Sequence, residues 1–96
     1  MERTYKVTFD TQKDRRYITW GLLVTATNKK NAMAAARERW HSEDNPHQRT
    51  RKRDRYYGTV YTEHPHTFHM YAERTNEDST AAPDFFVISN RYANWG

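Results

Sequence analysis

The sequence predicts an α+β domain: one antiparallel sheet of about five strands in the order β-β-α-β-β-β, with a single helix packed on one face. Three observations carry this. Apolar residues alternate at period two in the first 26 residues, an Ala-rich segment with helical spacing follows, and the second half returns to β-rich segments separated by polar turns. At 96 residues the chain has room for one core, so residues 1–96 read as a single small domain. Leu, Ile, Val and Phe supply only 12 residues, a fraction at which disorder becomes a concern, but seven Tyr, three Trp and a net charge of +4 point to a small aromatic core.

Tyr5, Val7 and Phe9 alternate with Thr4, Lys6 and Thr8, as a half-buried strand requires. After a polar connection over 11–15, Ile18, Trp20, Leu22, Val24 and Ala26 recur at period two in a second strand, and the short connection makes the pair an antiparallel hairpin. Gly21 marks a bulge or a close approach, and Leu23 falls on the opposite face. Thr27 or Asn28 can cap a helix running to about His41, whose Ala32, Met33, Ala36 and Trp40 share one face while Lys30, Asn31, Arg37 and Glu38 point away. The small Ala side chains let the helix approach the sheet and Trp40 fills the remaining gap, so this stripe reads as core.

Residues 42–55 read as one long polar and basic loop with Asn45-Pro46 inside it. Tyr56–Glu63 and Thr67–Arg74 read as strands, joined into a second hairpin by a turn at Pro65. A polar loop over 76–84 leads to a short apolar strand over 85–89. The chain then closes with a tail in which Tyr92 and Trp95 can pack back on the domain, and residues 93–96 form a flexible end.

The absence of Cys excludes disulfide scaffolds, thiol catalysis and Cys-ligated zinc. No apolar run is long enough for a membrane span, and Met1 leads into a charged strand rather than a signal core. A soluble, unprocessed cytoplasmic protein is expected, with no membrane partner and no cofactor.

The net charge is local. Arg49, Arg51, Lys52, Arg53 and Arg55, with Asp54 the only acid among them, give +4 in seven residues, while the rest of the chain holds 11 Lys or Arg against 11 Asp or Glu. Four of the five cations are Arg, whose planar fork grips phosphate bidentately and stacks on bases. The run leads directly to Tyr57 and Tyr61. With His69 and Tyr71 on the neighbouring strand these could form an aromatic and cationic surface on which unpaired bases stack without sequence preference. The expected function is therefore non-enzymatic binding of RNA or DNA through Arg49, Arg51, Lys52, Arg53, Arg55, Tyr57, Tyr61, His69 and Tyr71. The competing explanation is a solvated loop that keeps a small domain soluble, with tyrosines that cover the sheet.

Three further readings compete. His64, His66 and His69, beside Glu63, have metal-ligating chemistry, but their spacing does not bring them to one point, so no metal is expected. A metal-independent ribonuclease could use His66, His69, Tyr71 and Arg74 for proton transfer and phosphate stabilisation, yet no catalytic motif fixes their geometry. In size, lack of Cys and absence of catalytic motifs the chain is grossly similar to small phage anti-defence proteins such as anti-CRISPRs. That similarity implies a viral accessory protein binding a nucleoprotein complex or an acidic protein surface. The 85–89 segment could also form a sheet edge that pairs two copies into a homodimer.

Overall fold

The structure, a computed structural model, describes residues 1–13, 15–47, 49–78, 80 and 84–92. Its elements are β1 (Arg3–Lys13), β2 (Arg16–Ala26), α1 (Lys29–Trp40), β3 (Thr50–Arg53), β4 (Val60–Glu63), β5 (Thr67–Arg74) and β6 (Phe86–Tyr92). Four strands form an antiparallel sheet in the order β5-β1-β2-β6, and β3 and β4 form a separate two-stranded ribbon. The fold is α+β, with its helix on one face of the sheet.

The β1–β2 hairpin is longer than the alternation suggests, with pairing from Arg3↔Ala26 to Lys13↔Arg16. Residues 11–13 of the polar connection are themselves strand: Thr11 is buried and its hydroxyl accepts a hydrogen bond from the Trp20 indole at 2.9 Å, so a polar residue occupies the core face. Asn28 caps α1, its side-chain oxygen accepting the Asn31 amide at 2.8 Å, while Asn31 donates to the Thr27 hydroxyl at 2.8 Å. Ala32, Ala36 and Trp40 are fully buried, as the helical stripe requires.

Aromatic rings make up the centre of the core. Trp40 meets Phe9, Trp20 and Phe85 with ring centroids 5.2 Å apart in each case, mostly edge to face, a geometry that adds to plain area burial. Tyr5, Val7, Ile18, Leu22 and Ala72 complete the layer beneath the helix. Gly21 lies on the other face of the sheet as a close-approach site. A Cβ there would sit 2.6 Å from the Phe86 ring, which crosses it and lies 5.7 Å from the Lys6 ammonium. Leu23, on that same face, is buried.

Three expectations need correction. The basic run is not all loop, because Thr50–Arg53 is strand β3, paired antiparallel to β4. Tyr56–Glu63 is not strand throughout, since β4 begins at Val60 and the preceding residues form the turn of the ribbon. The second hairpin joins β3 to β4 and not β4 to β5. β5 instead pairs with β1, where Ala72 faces the core opposite Val7 and Met70 packs against it. Long-range burial of an apolar strand face outweighed the local turn at Pro65.

β6 also runs further than its apolar run, to Tyr92, in what was expected to be tail. It forms one edge of the sheet beyond β2, with Val87 and Ile88 about half exposed. Trp95 and the expected flexible tail over 93–96 lie outside the described residues. No helix among the described residues is long and apolar enough to cross a membrane.

Candidate nucleic-acid interface

The β3–β4 ribbon carries most of the residues selected from the sequence. Its register is Thr50↔Glu63, Arg51↔Thr62, Lys52↔Tyr61 and Arg53↔Val60. Paired residues share a face and alternate residues change face. One face therefore holds Arg51 and Arg53 with Thr62 and Val60, and the other holds Thr50 and Lys52 with Glu63 and Tyr61.

The two faces differ electrically. Lys52 is bound to Glu63 at 2.6 Å, and both groups are exposed. The hydrogen bond and the charge of its partner raise the Lys52 ammonium above its ordinary pKa and hold the Glu63 carboxyl below the usual glutamate value. Arg51 and Arg53, by contrast, make no ion pair with any described residue, and neither do Arg49 and Arg55 at the two ends of the run. Strand β3 thus places on one face two guanidiniums that have no ion-pair partner among the described residues.

The turn joining the strands is built by Asp54, the single acid of the run. Its carboxylate accepts the amides of Tyr56 at 2.8 Å and Tyr57 at 3.0 Å, its own amide donates to the Thr59 carbonyl at 2.8 Å, and its carbonyl accepts the Gly58 amide at 3.0 Å. Gly58 has φ +66°, the left-handed conformation a side chain would disfavour. The consequence is a fixed tip with Tyr56 94% and Tyr57 86% exposed.

The base of the ribbon is anchored to the end of α1. The His64 ring donates through Nε2 to the Asn45 carbonyl at 2.7 Å, the Asn45 amide donates to the Trp40 carbonyl at 2.9 Å, and the Trp40 indole donates to the Pro65 carbonyl at 2.9 Å. The Asn45 side-chain oxygen also accepts the His47 amide at 3.1 Å and its backbone amide donates to the Ser42 carbonyl at 3.1 Å, so this 1% exposed residue serves four partners. A cleft of about 250 Å³ separates the base from the end of β1, with Gln12, Lys13, Thr50, Lys52 and His66 among its lining. Neither α1 nor any strand of the main sheet packs on β3 or β4. The radius of gyration is 15.1 Å, where a compact chain of this length would have about 12 to 13 Å, in keeping with a projecting ribbon.

The other sequence candidates lie elsewhere. Tyr71 stands opposite Thr8 on the uncovered face of the main sheet, 51% exposed. His69 sits in a bulge of β5 at φ +54°, its Nδ1 3.1 Å from an Asp10 carboxylate oxygen. Tyr61 is 46% exposed on the Lys52 face of the ribbon. The expected single surface of Tyr57, Tyr61, His69 and Tyr71 is thus divided between the ribbon and the main sheet, because β4 and β5 are not paired. Of the histidines, His64 is buried and committed to Asn45, and no group of three His, Asp or Glu among the described residues could hold a metal. The ribonuclease set does not share a face either: Arg74 stands opposite Tyr5 on the helix side and Tyr71 opposite Thr8 on the other.

Sequence reasoning passed over Tyr56, the most exposed of the tyrosines, and the anchoring role of Asn45. The sequence places Tyr56 within a strand over Tyr56–Glu63, whereas Tyr56 precedes β4 and lies in the turn of the ribbon. The chain matches no protein-family model, no curated protein and no solved structure.

Proposed function

We propose that this chain is a non-enzymatic nucleic-acid-binding domain whose contact element is the β3–β4 ribbon. The observation that carries this reading is the unpaired arginine face: Arg51 and Arg53 project together from a ribbon that no main-body element covers, with Arg49 and Arg55 at its ends. Uncompensated guanidiniums on an exposed strand favour a polyanion, which they can grip bidentately while releasing condensed counterions. Lys52 contributes less because Glu63 neutralises it, and the tip tyrosines add hydroxyls and ring faces beside the cations. Tyr61, His69 and Tyr71 take a secondary part, away from the arginine face. A cytoplasmic location, where nucleic acid is accessible, belongs to the same proposal.

The test is charge reversal. The double variant Arg51→Glu, Arg53→Glu should lose more than about tenfold in affinity for nucleic acid of any sequence, with the deficit shrinking as salt rises. Wild-type affinity in that variant would remove the ribbon as the contact site. Capture of a protein partner that resists nuclease treatment, with no binding to free nucleic acid, would instead favour an accessory protein acting on an acidic surface or a nucleoprotein.

A further inference from the structure

Resting on the nucleic-acid reading above, we infer that the ligand is B-form duplex DNA and that the β3–β4 ribbon enters its major groove with the Arg51/Arg53 face toward the base edges.

The argument starts from shape. A site for a single strand is a groove whose walls follow the backbone. The cleft at the base of the ribbon is lined from the Thr50/Lys52 face, not by Arg51 or Arg53, and no described element of the main body packs on the strands, so the arginine face has no walls and ends in a convex, fixed tip. A convex element needs a concave ligand. Two antiparallel strands lie about 4.8 Å apart, and a sheet layer with its side chains is about 10 Å thick. The major groove of B-form DNA, about 12 Å wide and 8.5 Å deep, admits a two-stranded ribbon of that size. The A-form major groove of duplex RNA is deep and narrow and does not.

Chemistry on the faces gives the orientation. Alternation sets Arg51 and Arg53 about 6.8 Å apart along β3, two strand residues at about 3.4 Å each, both on the face that also carries Thr62 and Val60. Guanidinium forks match the O6 and N7 acceptors of guanine, a hydroxyl serves any base, and an aliphatic side chain meets the thymine methyl. The opposite face, with the Lys52–Glu63 pair and Tyr61, is electrically spent and suits the solvent side of the groove. Arg49 and Arg55 lie at the ends of the run, where the groove walls bring phosphates, and the hydroxyls of Tyr56 and Tyr57 at the tip can reach the same backbone.

The experiment is a fluorescence-anisotropy titration of the full chain against four probes of one sequence: DNA duplex, RNA duplex, single-stranded DNA and single-stranded RNA. The DNA duplex should bind at least about tenfold more tightly than the other three, and methyl green, a major-groove ligand, should displace the protein where netropsin, a minor-groove ligand, does not. Equal or tighter binding to either single strand or to duplex RNA, or displacement by netropsin alone, overturns the groove inference while leaving nucleic-acid binding intact. No binding to any probe at low salt overturns both. Arg51→Ala, an exposed substitution that leaves the anchor untouched, separates base reading from charge. It should cost about tenfold on a G·C-rich duplex and clearly less on an A·T duplex, whereas equal losses on the two would place the guanidinium on phosphate and overturn the stated orientation.

Discussion

At the scale of single residues, Asn45 shows how much one polar side chain can organise. It ties the last turn of α1 to the segment that starts the ribbon through the Trp40 carbonyl and the His47 amide, while the Asn45 backbone carbonyl receives the His64 ring. Buried polar groups that lose a partner cost about 1 to 3 kcal/mol each. Asn45→Ala leaves a carbonyl and an amide unpaired, and should destabilise the fold by about 2 kcal/mol. For a domain of this size that lowers the melting temperature by roughly 8 to 16 °C. A thermal melt within 2 °C of wild type would show that the network is dispensable. In the sequence Asn45 is half of an Asn-Pro loop signal. Nothing local says that the loop folds under the helix, and its burial depends on where Trp40 and His64 come together.

At the scale of elements, the end of α1 and the segment leaving the ribbon bring three histidines near one another. His41 follows the helix as its C-cap, and burial first, then the charges that His64 and His66 would carry, push its pKa below the ordinary histidine value. A histidine that resists protonation in the folded state stabilises it above the unfolded-state pKa, and that contribution is lost as pH falls through the lowered value. Thermal stability should therefore decline as pH is lowered from 7 toward 5, before the Glu63 carboxyl, itself held low, begins to titrate. His41→Gln should flatten that decline in a series of melts at stepped pH. An unchanged slope in the variant would assign the decline to other groups.

The main sheet was the more legible part at this scale. Period-two alternation identified β1 and β2, and the Thr27/Asn28 cap and the Ala32–Trp40 stripe identified α1, because each reports a buried face directly in residue spacing. The ribbon was less legible. Thr50–Arg53 has no apolar face to bury, so no alternation marks it as a strand, and only its pairing with β4 makes it one.

At the scale of the whole molecule, core and ribbon are separable. The aromatic cluster around Trp40 lies beneath α1, whereas the ribbon beyond its base touches no element of the main sheet. Replacing residues 52–61 with an Asn-Gly turn keeps the Arg51↔Thr62 pair and the His64 and Pro65 anchors while removing the tip. The Lys52–Glu63 pair lost in the process is exposed and screened by solvent, so it contributes little to the fold. The shortened protein should melt within roughly 5 °C of the parent and lose nucleic-acid affinity. A loss of stability as large as that expected for Asn45→Ala would show that the ribbon belongs to the cooperative core.

The sequence by itself determined the fold class, the helix with its cap and buried face, the aromatic character of the core, and the concentration of charge in residues 49–55, since all of these are written in local spacing and composition. Only the tertiary structure decided that this charge rides on a strand with Arg51 and Arg53 on one face, that Lys52 is neutralised by Glu63, that His64 is an anchor, and that Tyr71 and His69 stand on the main sheet while Tyr57 lies in the turn of the ribbon. The physical reason is common to these four facts. Each depends on contacts between segments apart in the chain, the pairing of β3 with β4, the His64 bond to Asn45 and the burial of the apolar face of β5 beside β1, and not on a signal within the segment itself.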